Sequence, residues 1–356
     1  MGNISFEELK SYYQGKRVLV TGHTGFKGSW LCRVLTLAGA QVTGYALEAP
    51  PKPAIFRQAG LGETMESVIG DVRSLKDLQA VFKQCKPQVV FHLAAQPIVR
   101  ESYENPVYTY ETNVMGTVNV LECARRQGSV CSLVNVTTDK VYENREWEYG
   151  YRESDPLDGY DPYSNSKSCS ELVTHSYRKS FFSDGGCAIS TCRAGNVIGG
   201  GDFARDRIIP DCVRAMMEGK EIILRNPYST RPYQHVLEPL AVYLAIAMGQ
   251  DKEPGLSGCY NVGPDDCDCV TTGELADLFC RYWGQGARWE SRHDGGPHEA
   301  NFLKLDCSKV KARLEWRPRY HVADAVEKTV EWFKAWMAGE EMRQVTDRQI
   351  MEFFAR

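Results

Sequence analysis

Tyr163 and Lys167 in the stretch YDPYSNSK stand four residues apart, which on a helix puts a phenol and an ammonium on one face, a turn from each other. A free tyrosine is protonated near neutral pH, with a pKa of about 10. A cation beside it stabilises the phenolate, so the pair could serve as a general base. The same spacing on an exposed helix carries no chemistry, and alone the pair leaves both readings open.

Two other segments offer partners for such a base. TGHTGFKG sets Gly22, Gly25 and Gly28 at three-residue intervals, with Thr24, Phe26 and Lys27 between them. It follows Arg17–Val20, which reads as a buried strand, and precedes Ser29–Leu37, which reads as a helix. Glycines there let the backbone approach a pyrophosphate seated on the helix N-terminus, so this is a dinucleotide loop. VNVTTDKVY ends an apolar strand with Thr137, Thr138, Asp139 and Lys140, where ligands of parallel sheets bind. On spacing alone, Asp139-Lys140 reads as a solvated charged pair.

Three glycines, a threonine at a strand end and a downstream Tyr-x-x-x-Lys, in that order, resemble the extended short-chain dehydrogenase/reductase family over most of the chain. Within it, GHTGFKGSW, HLAAQP, TNVMGT, TTDKVYEN, the WEYGYRE segment at Trp147, GYDPYSNSK and RAGNVIGGGD are similar to the dehydratases that act on CDP-glucose. The resemblance implies an α/β fold, a Rossmann-type doubly wound parallel sheet with a smaller C-terminal substrate-binding domain. It also implies NAD as a recycled cofactor and CDP-glucose as substrate, in deoxysugar synthesis for surface polysaccharide.

In that chemistry Tyr163 takes the C4″ hydroxyl proton while hydride leaves C4″, and Thr138 hydrogen-bonds the developing ketone. Lys167 lowers the phenol pKa and holds the nicotinamide ribose. Asp139 is the expected acid for the departing C6″ hydroxyl. Lys140, where most nucleotide-sugar 4,6-dehydratases carry Glu, is the expected base at C5″. A lysine acts as base only when neutral, which a buried site beside the Lys167 ammonium would promote.

By the same resemblance Asp71 and Val72 contact the adenine, and Leu93, Ala94 and Ala95 pass beside the cofactor. Asn196 and Arg231 hold the substrate diphosphate, while Arg207, with Asp206 and Trp147–Arg152, shapes the sugar-nucleotide pocket. Asn113 positions a helix near the site, and His92 is a packed strand residue. The family pattern further implies a homodimer built as a four-helix bundle, with a tetramer as the larger alternative. The rival readings are a 4-epimerase or reductase of the same fold and a non-catalytic NAD(P)-binding regulator.

The elements that must carry these residues are legible as an alternation. Strand-like runs Arg17–Val20, Gln41–Tyr45, Ser67–Ile69, Val89–Leu93, Ser132–Val136 and Ala188–Arg193 are separated by helical stretches, the pattern of a covered parallel sheet. Residues 105–127 and 162–182 read as long helices, and 235–249 as a helix returning to the first lobe. The expected division is 1–190 with 232–258 for the dinucleotide lobe, and 191–231 with 259–356 mainly for the substrate lobe. The strand read at Gln41–Tyr45 runs out at Ala46 without the acidic residue that would hold an adenosine ribose. Glu48 is the nearest carboxylate, and Lys52 and Arg57 lie further along, so these residues do not choose between NAD and NADP.

Composition bounds the alternatives. The 356 residues are 43% hydrophobic with a net charge of −4, enough for two lobes and no reason to invoke nucleic acid or an anionic membrane. No apolar run reaches the roughly 18 residues of a membrane span, and MGNISFEELK is unlike a signal peptide. Thirteen scattered cysteines read as reduced core residues of a cytosolic enzyme. Cys267 and Cys269 have poor zinc spacing, so no metal is expected.

Overall fold

A computed structural model of the chain describes residues 2–51, 53–183, 185–292 and 302–356. Its centre is a seven-stranded sheet. In chain order the first six strands are β1 (Arg17–Thr21), β2 (Gln41–Ala46), β3 (Glu66–Ile69), β4 (Val89–His92), β5 (Ser132–Val136) and β6 (Ala188–Ala194), and Cys259–Val262 is the seventh. Every pairing is parallel, in the spatial order Cys259–Val262, β6, β5, β4, β1, β2, β3.

Two cores explain the apolar runs. Val18, Val20, Val89, Phe91 and Val134 point into one cluster, and the alternating Leu19, Val90 and Leu133 into another on the opposite face. The period of two therefore serves both faces, and near-continuous hydrophobic strands result. The first face is covered by Phe26–Leu37 and by Leu237–Lys252, a helix apolar on nearly all sides. The second is covered by Leu75–Cys85, Gly116–Gln127 and Pro162–Phe181.

The stretch 105–127 divides into Pro106–Tyr110, a π-helical turn at Glu111–Met115, and Gly116–Gln127. The turn aims Asn113 inward: its amide donates to the Gln96 carbonyl (3.1 Å) and Ser166 Oγ (2.9 Å) while its oxygen accepts from Gln96 N–H (2.9 Å). After β6 the strands shorten to pairs of two or three residues, such as Thr230–Pro232 with Cys269–Thr271. Cys259–Val262 and the last helix, Met342–Ala355, sit against the first lobe: the strand pairs with β6, and Asp347 accepts two bonds from Arg33 at 2.5 Å. Among the described residues no helix is long and apolar enough to cross a membrane, and all thirteen cysteines are free.

Candidate active site

A cleft of about 1150 Å³ opens at the C-terminal ends of the strands. It lies where the order reverses between β1 and β4, the place at which open α/β sheets bind ligands. One wall is the glycine loop. Gly22 has φ 78°, and a Cβ there would come within 2.7 Å of the Ala94 nitrogen, so only glycine fits. A Cβ at Gly28 would overlap the Gly22 carbonyl. The helix Phe26–Leu37 begins at Gly25 without a side-chain cap, leaving its first N–H groups for an anion. The loop therefore fits a dinucleotide pyrophosphate.

Thr24, Gly25, Phe26, Lys27, Asp71, Val72, Leu93, Ala94 and Ala95 all line this half of the cleft. Arg73 holds the Asp71 carboxylate at 2.7 and 2.9 Å. Past β2, Glu48 is 80% exposed and 3.6 Å from Arg57, so the carboxylate lacking inside the strand has only a solvated neighbour. Lys52 falls outside the described residues.

The reactive centre forms at the other end. Tyr163 is 9% exposed and Lys167 4%, both facing the cleft from the first turns of Pro162–Phe181. That helix is started by Asp161, whose carboxylate accepts from Ser164 N–H at 3.0 Å, with Pro162 in its first turn. Burial pushes the Tyr163 phenol up to about 12, against which the nearby Thr138 hydroxyl and the charge of Arg207 pull it down. Lys167 does not reach the phenol as expected: its ammonium donates to the Val136 carbonyl at 3.1 Å. Burial lowers Lys167 to about 8, and Glu171 opposes that fall.

Asp139 corrects the sequence reading. Its carboxylate is fully buried and is not on the cleft wall. Thr138 Oγ1 donates to it at 3.0 Å and the Asn196 amide at 3.2 Å, and the missing side chain of Gly195 makes the room. Lys140 does reach the cleft, but it is a third exposed and stands 3.8 Å from Asp139. It is thus half of an ion pair with an anion, not a buried lysine beside a second ammonium. Lys27 is held to about 8 by burial and by Arg207, Lys167 and Lys140, with Asp139 opposing. Of these cations Lys140 pairs with Asp139, Arg207 with Asp202, and Lys167 is opposed by Glu171.

On the far side Asn196, Arg207 and Arg231 all line the cleft. Asn196 adopts a left-handed φ of 48°, Arg207 donates to Asp202 at 2.9 Å, and Arg231 is 7% exposed. Trp147–Arg152 lies off the wall, because Trp147 stacks on Tyr151 and Tyr151 on Tyr142, at 5.7 and 5.2 Å; Asn144, Arg145 and Glu146 line the cleft instead. His92 is a packed residue bridging Thr21 (2.7 Å) and Thr117 (3.2 Å), and burial lowers it to about 3. Cys267 lies within 4.8 Å of Asp268 and His321, where the Asp268 carboxylate accepts from Val322 N–H at 2.9 Å and so starts a helix.

Glu171 escaped the sequence reading, although Tyr163, Lys167 and Glu171 repeat at four residues along one helix face. Tyr233, Thr272 and Leu224 also line the cleft, and nothing local in their segments marks them.

Comparison with known proteins agrees with this geometry. A curated CDP-glucose 4,6-dehydratase of Salmonella typhimurium is 49% identical over 352 residues, spanning 97% of this chain and 98% of its own length. A dTDP-glucose 4,6-dehydratase of Streptomyces antibioticus is 30% identical over 89% of this chain and 92% of its own. Among solved structures, a dTDP-glucose 4,6-dehydratase of Bacillus anthracis in complex with NAD superposes with a TM-score of 0.77 at 22% identity, covering 92% of this chain and 100% of its own. The model of the GDP-mannose 4,6 dehydratase family matches residues 19–259, and the chain belongs to that family.

Proposed function

We propose that the chain dehydrates CDP-glucose to CDP-4-keto-6-deoxyglucose, using a bound NAD that is restored in each cycle. The observation that carries this reading is the meeting, at one end of one cleft, of Tyr163 and Thr138 with Lys140, which is backed by the buried Asp139 carboxylate 3.8 Å behind it. The first two suffice to oxidise a secondary alcohol; only an elimination needs the second pair. The close similarity to a relative named for CDP-glucose supports the substrate. The NAD complex of a structural neighbour supports the cofactor, as does the pyrophosphate cradle at Gly22 and Gly28.

A dinucleotide held with its pyrophosphate on the Gly22–Gly28 loop would supply the hydride acceptor for C4″ and the hydride donor for C6″. Tyr163 takes the C4″ hydroxyl proton, and the Thr138 hydroxyl supports the ketone oxygen. The ketone acidifies C5″. Lys140, the member that reaches the cleft, passes its own proton to the Asp139 carboxylate and takes the C5″ proton in its place, and the ammonium so formed protonates the C6″ hydroxyl, which leaves as water. Asp139 then returns its proton to Lys140, so the pair ends as it began; a proton from water enters at C5″ as the hydride returns, and Tyr163 releases the proton it took. Asn196, Arg207 and Arg231 hold the diphosphate, for which guanidinium forks are suited.

An epimerase would use Tyr163, Thr138 and Lys167 without an elimination pair, and the family and the two curated relatives described above, both 4,6-dehydratases, do not favour it. We further propose a homodimer in the cytoplasm. Val107, Met115 and Leu172 are 71%, 50% and 56% exposed on the helices expected to form the bundle, which supports an interface there. The test of the function is incubation of the purified protein with CDP-, dTDP-, UDP- and GDP-glucose, with and without NAD. The expected result is release of the 4-keto-6-deoxy product with CDP-glucose, at a kcat/KM at least about tenfold above that with dTDP-glucose. Comparable values would sink the cytidine preference alone, and a C4″ epimer as the product would sink the dehydratase reading.

A further inference from the structure

One helical turn beyond Lys167, the carboxylate of Glu171 is 3% exposed and fully engaged. It accepts from Thr137 Oγ1 at 2.5 Å, Thr191 Oγ1 at 2.7 Å and Arg193 Nη2 at 2.9 Å. Arg193 in turn donates to the Tyr142 hydroxyl at 2.8 Å and the Glu153 carbonyl at 3.2 Å. One buried anion thus ties the end of β5, the middle of β6 and the helix that presents Tyr163 and Lys167. Stability alone does not account for it, since a buried ion pair is often matched or bettered by apolar residues of like volume.

We propose that Glu171 is a positioning residue for the reaction, fixing the strand end that bears Thr138 and setting an anion one helical turn from Lys167. The inference rests on the function proposed above and adds to it a role for the Lys167 charge. The charged and titratable groups that act on Lys167 are Glu171 on its own helix, Lys27 on Phe26–Leu37 and His92 on β4, with Arg193 of β6 behind Glu171. Glu171 is the anion among them, and its pull on Lys167 opposes burial. Thr137, bonded to Glu171, directly precedes Thr138, so the same carboxylate sets the position of the hydroxyl that meets the substrate.

The test is competitive acetylation of the full-length, NAD-loaded protein with acetic anhydride across pH, with Lys167 followed by peptide mass spectrometry. Glu171→Gln is expected to lower the Lys167 midpoint by about one pH unit, a tenfold loss of ammonium, and to move the alkaline limb of kcat with it. KM for CDP-glucose should change less than about twofold, since the diphosphate contacts are untouched. Glu171→Asp, which keeps the charge, should restore the midpoint. If Glu171→Gln does not fold, Glu171→Gln with Arg193→Met leaves the interior neutral and should show the same downward displacement. An unmoved midpoint in either folded variant overturns the proposal and leaves Glu171 a structural residue only. The labelling needs no substrate, so a wild-type protein inert toward every nucleotide sugar would refute the function while the midpoint still decides the role of Glu171.

Discussion

Two ion pairs beside the reactive centre are built in opposite ways. Glu171 and Arg193 are each 3% exposed and in direct contact at 2.9 Å, with every carboxylate oxygen bonded. Asp139 is fully buried, but its partner Lys140 is a third exposed and 3.8 Å away. The closed pair joins three elements and reaches no substrate; the open pair ends a strand and puts a cation into the cleft. A buried pair in close contact holds geometry, whereas a loosely held one keeps capacity to move a proton.

The largest expected effect lies outside both pairs. Tyr163→Phe removes only the hydroxyl and should lower kcat by about 10³ or more, within the range seen for general acid–base groups, with cofactor binding largely retained by fluorescence titration. Substantial residual dehydratase activity would remove Tyr163 as the C4″ base.

Breaking the closed pair should mainly harm the fold. Arg193→Met leaves Glu171 buried and unpaired and should cost about 3–5 kcal/mol in denaturant unfolding. The matching change in the open pair, Lys140→Met, should cost under about 1 kcal/mol, because Lys140 is itself a third exposed and 3.8 Å away, and Thr138 and Asn196 go on bonding the buried Asp139. Equal costs would erase the distinction between the pairs.

The smallest effect is a pH slope. Lys167 is held to about 8 in the folded chain, against about 10.4 when unfolded. Between those values the unfolded chain binds a proton that the folded one has lost, so this group adds stability as pH rises. The addition is complete above the unfolded value and is lost as pH falls through about 8. Lys27, also held to about 8, contributes in the same window. Buried thiols such as Cys32, pushed up by burial, act in the opposite sense at alkaline pH, so the readable quantity is the difference between wild type and Lys167→Met. That difference should grow in favour of wild type from about pH 8 to 10.

Local pattern made much of this molecule readable. The six strands β1 to β6 appear within a residue or so of their expected limits; the inner ones show because strands buried on both faces are largely apolar, whereas the edge strand β3 is mostly exposed. The glycine loop and the Tyr163–Lys167 face depend on neighbours in sequence and are equally visible. What was hidden depends on long-range packing. Cys259–Val262 is only four residues long and becomes a strand by pairing with β6. Asp139 turns inward because Gly195 and Asn196, more than fifty residues away, make room and bind it. Trp147 leaves the cleft because Tyr151 and Tyr142 offer it a stack.

The most direct test of the open pair's role is a single turnover of Lys140→Met with CDP-glucose and NAD, followed by absorbance of the reduced nicotinamide and by solvent deuterium at C5″. Oxidation should proceed, because Tyr163, Thr138 and Lys167 remain, and elimination should not. The expected result is reduced cofactor that rises without decay, no 6-deoxy product and little deuterium at C5″. Normal product formation would place the base elsewhere, and failure to form any reduced cofactor would mean that Lys140 positions the sugar for the first step instead.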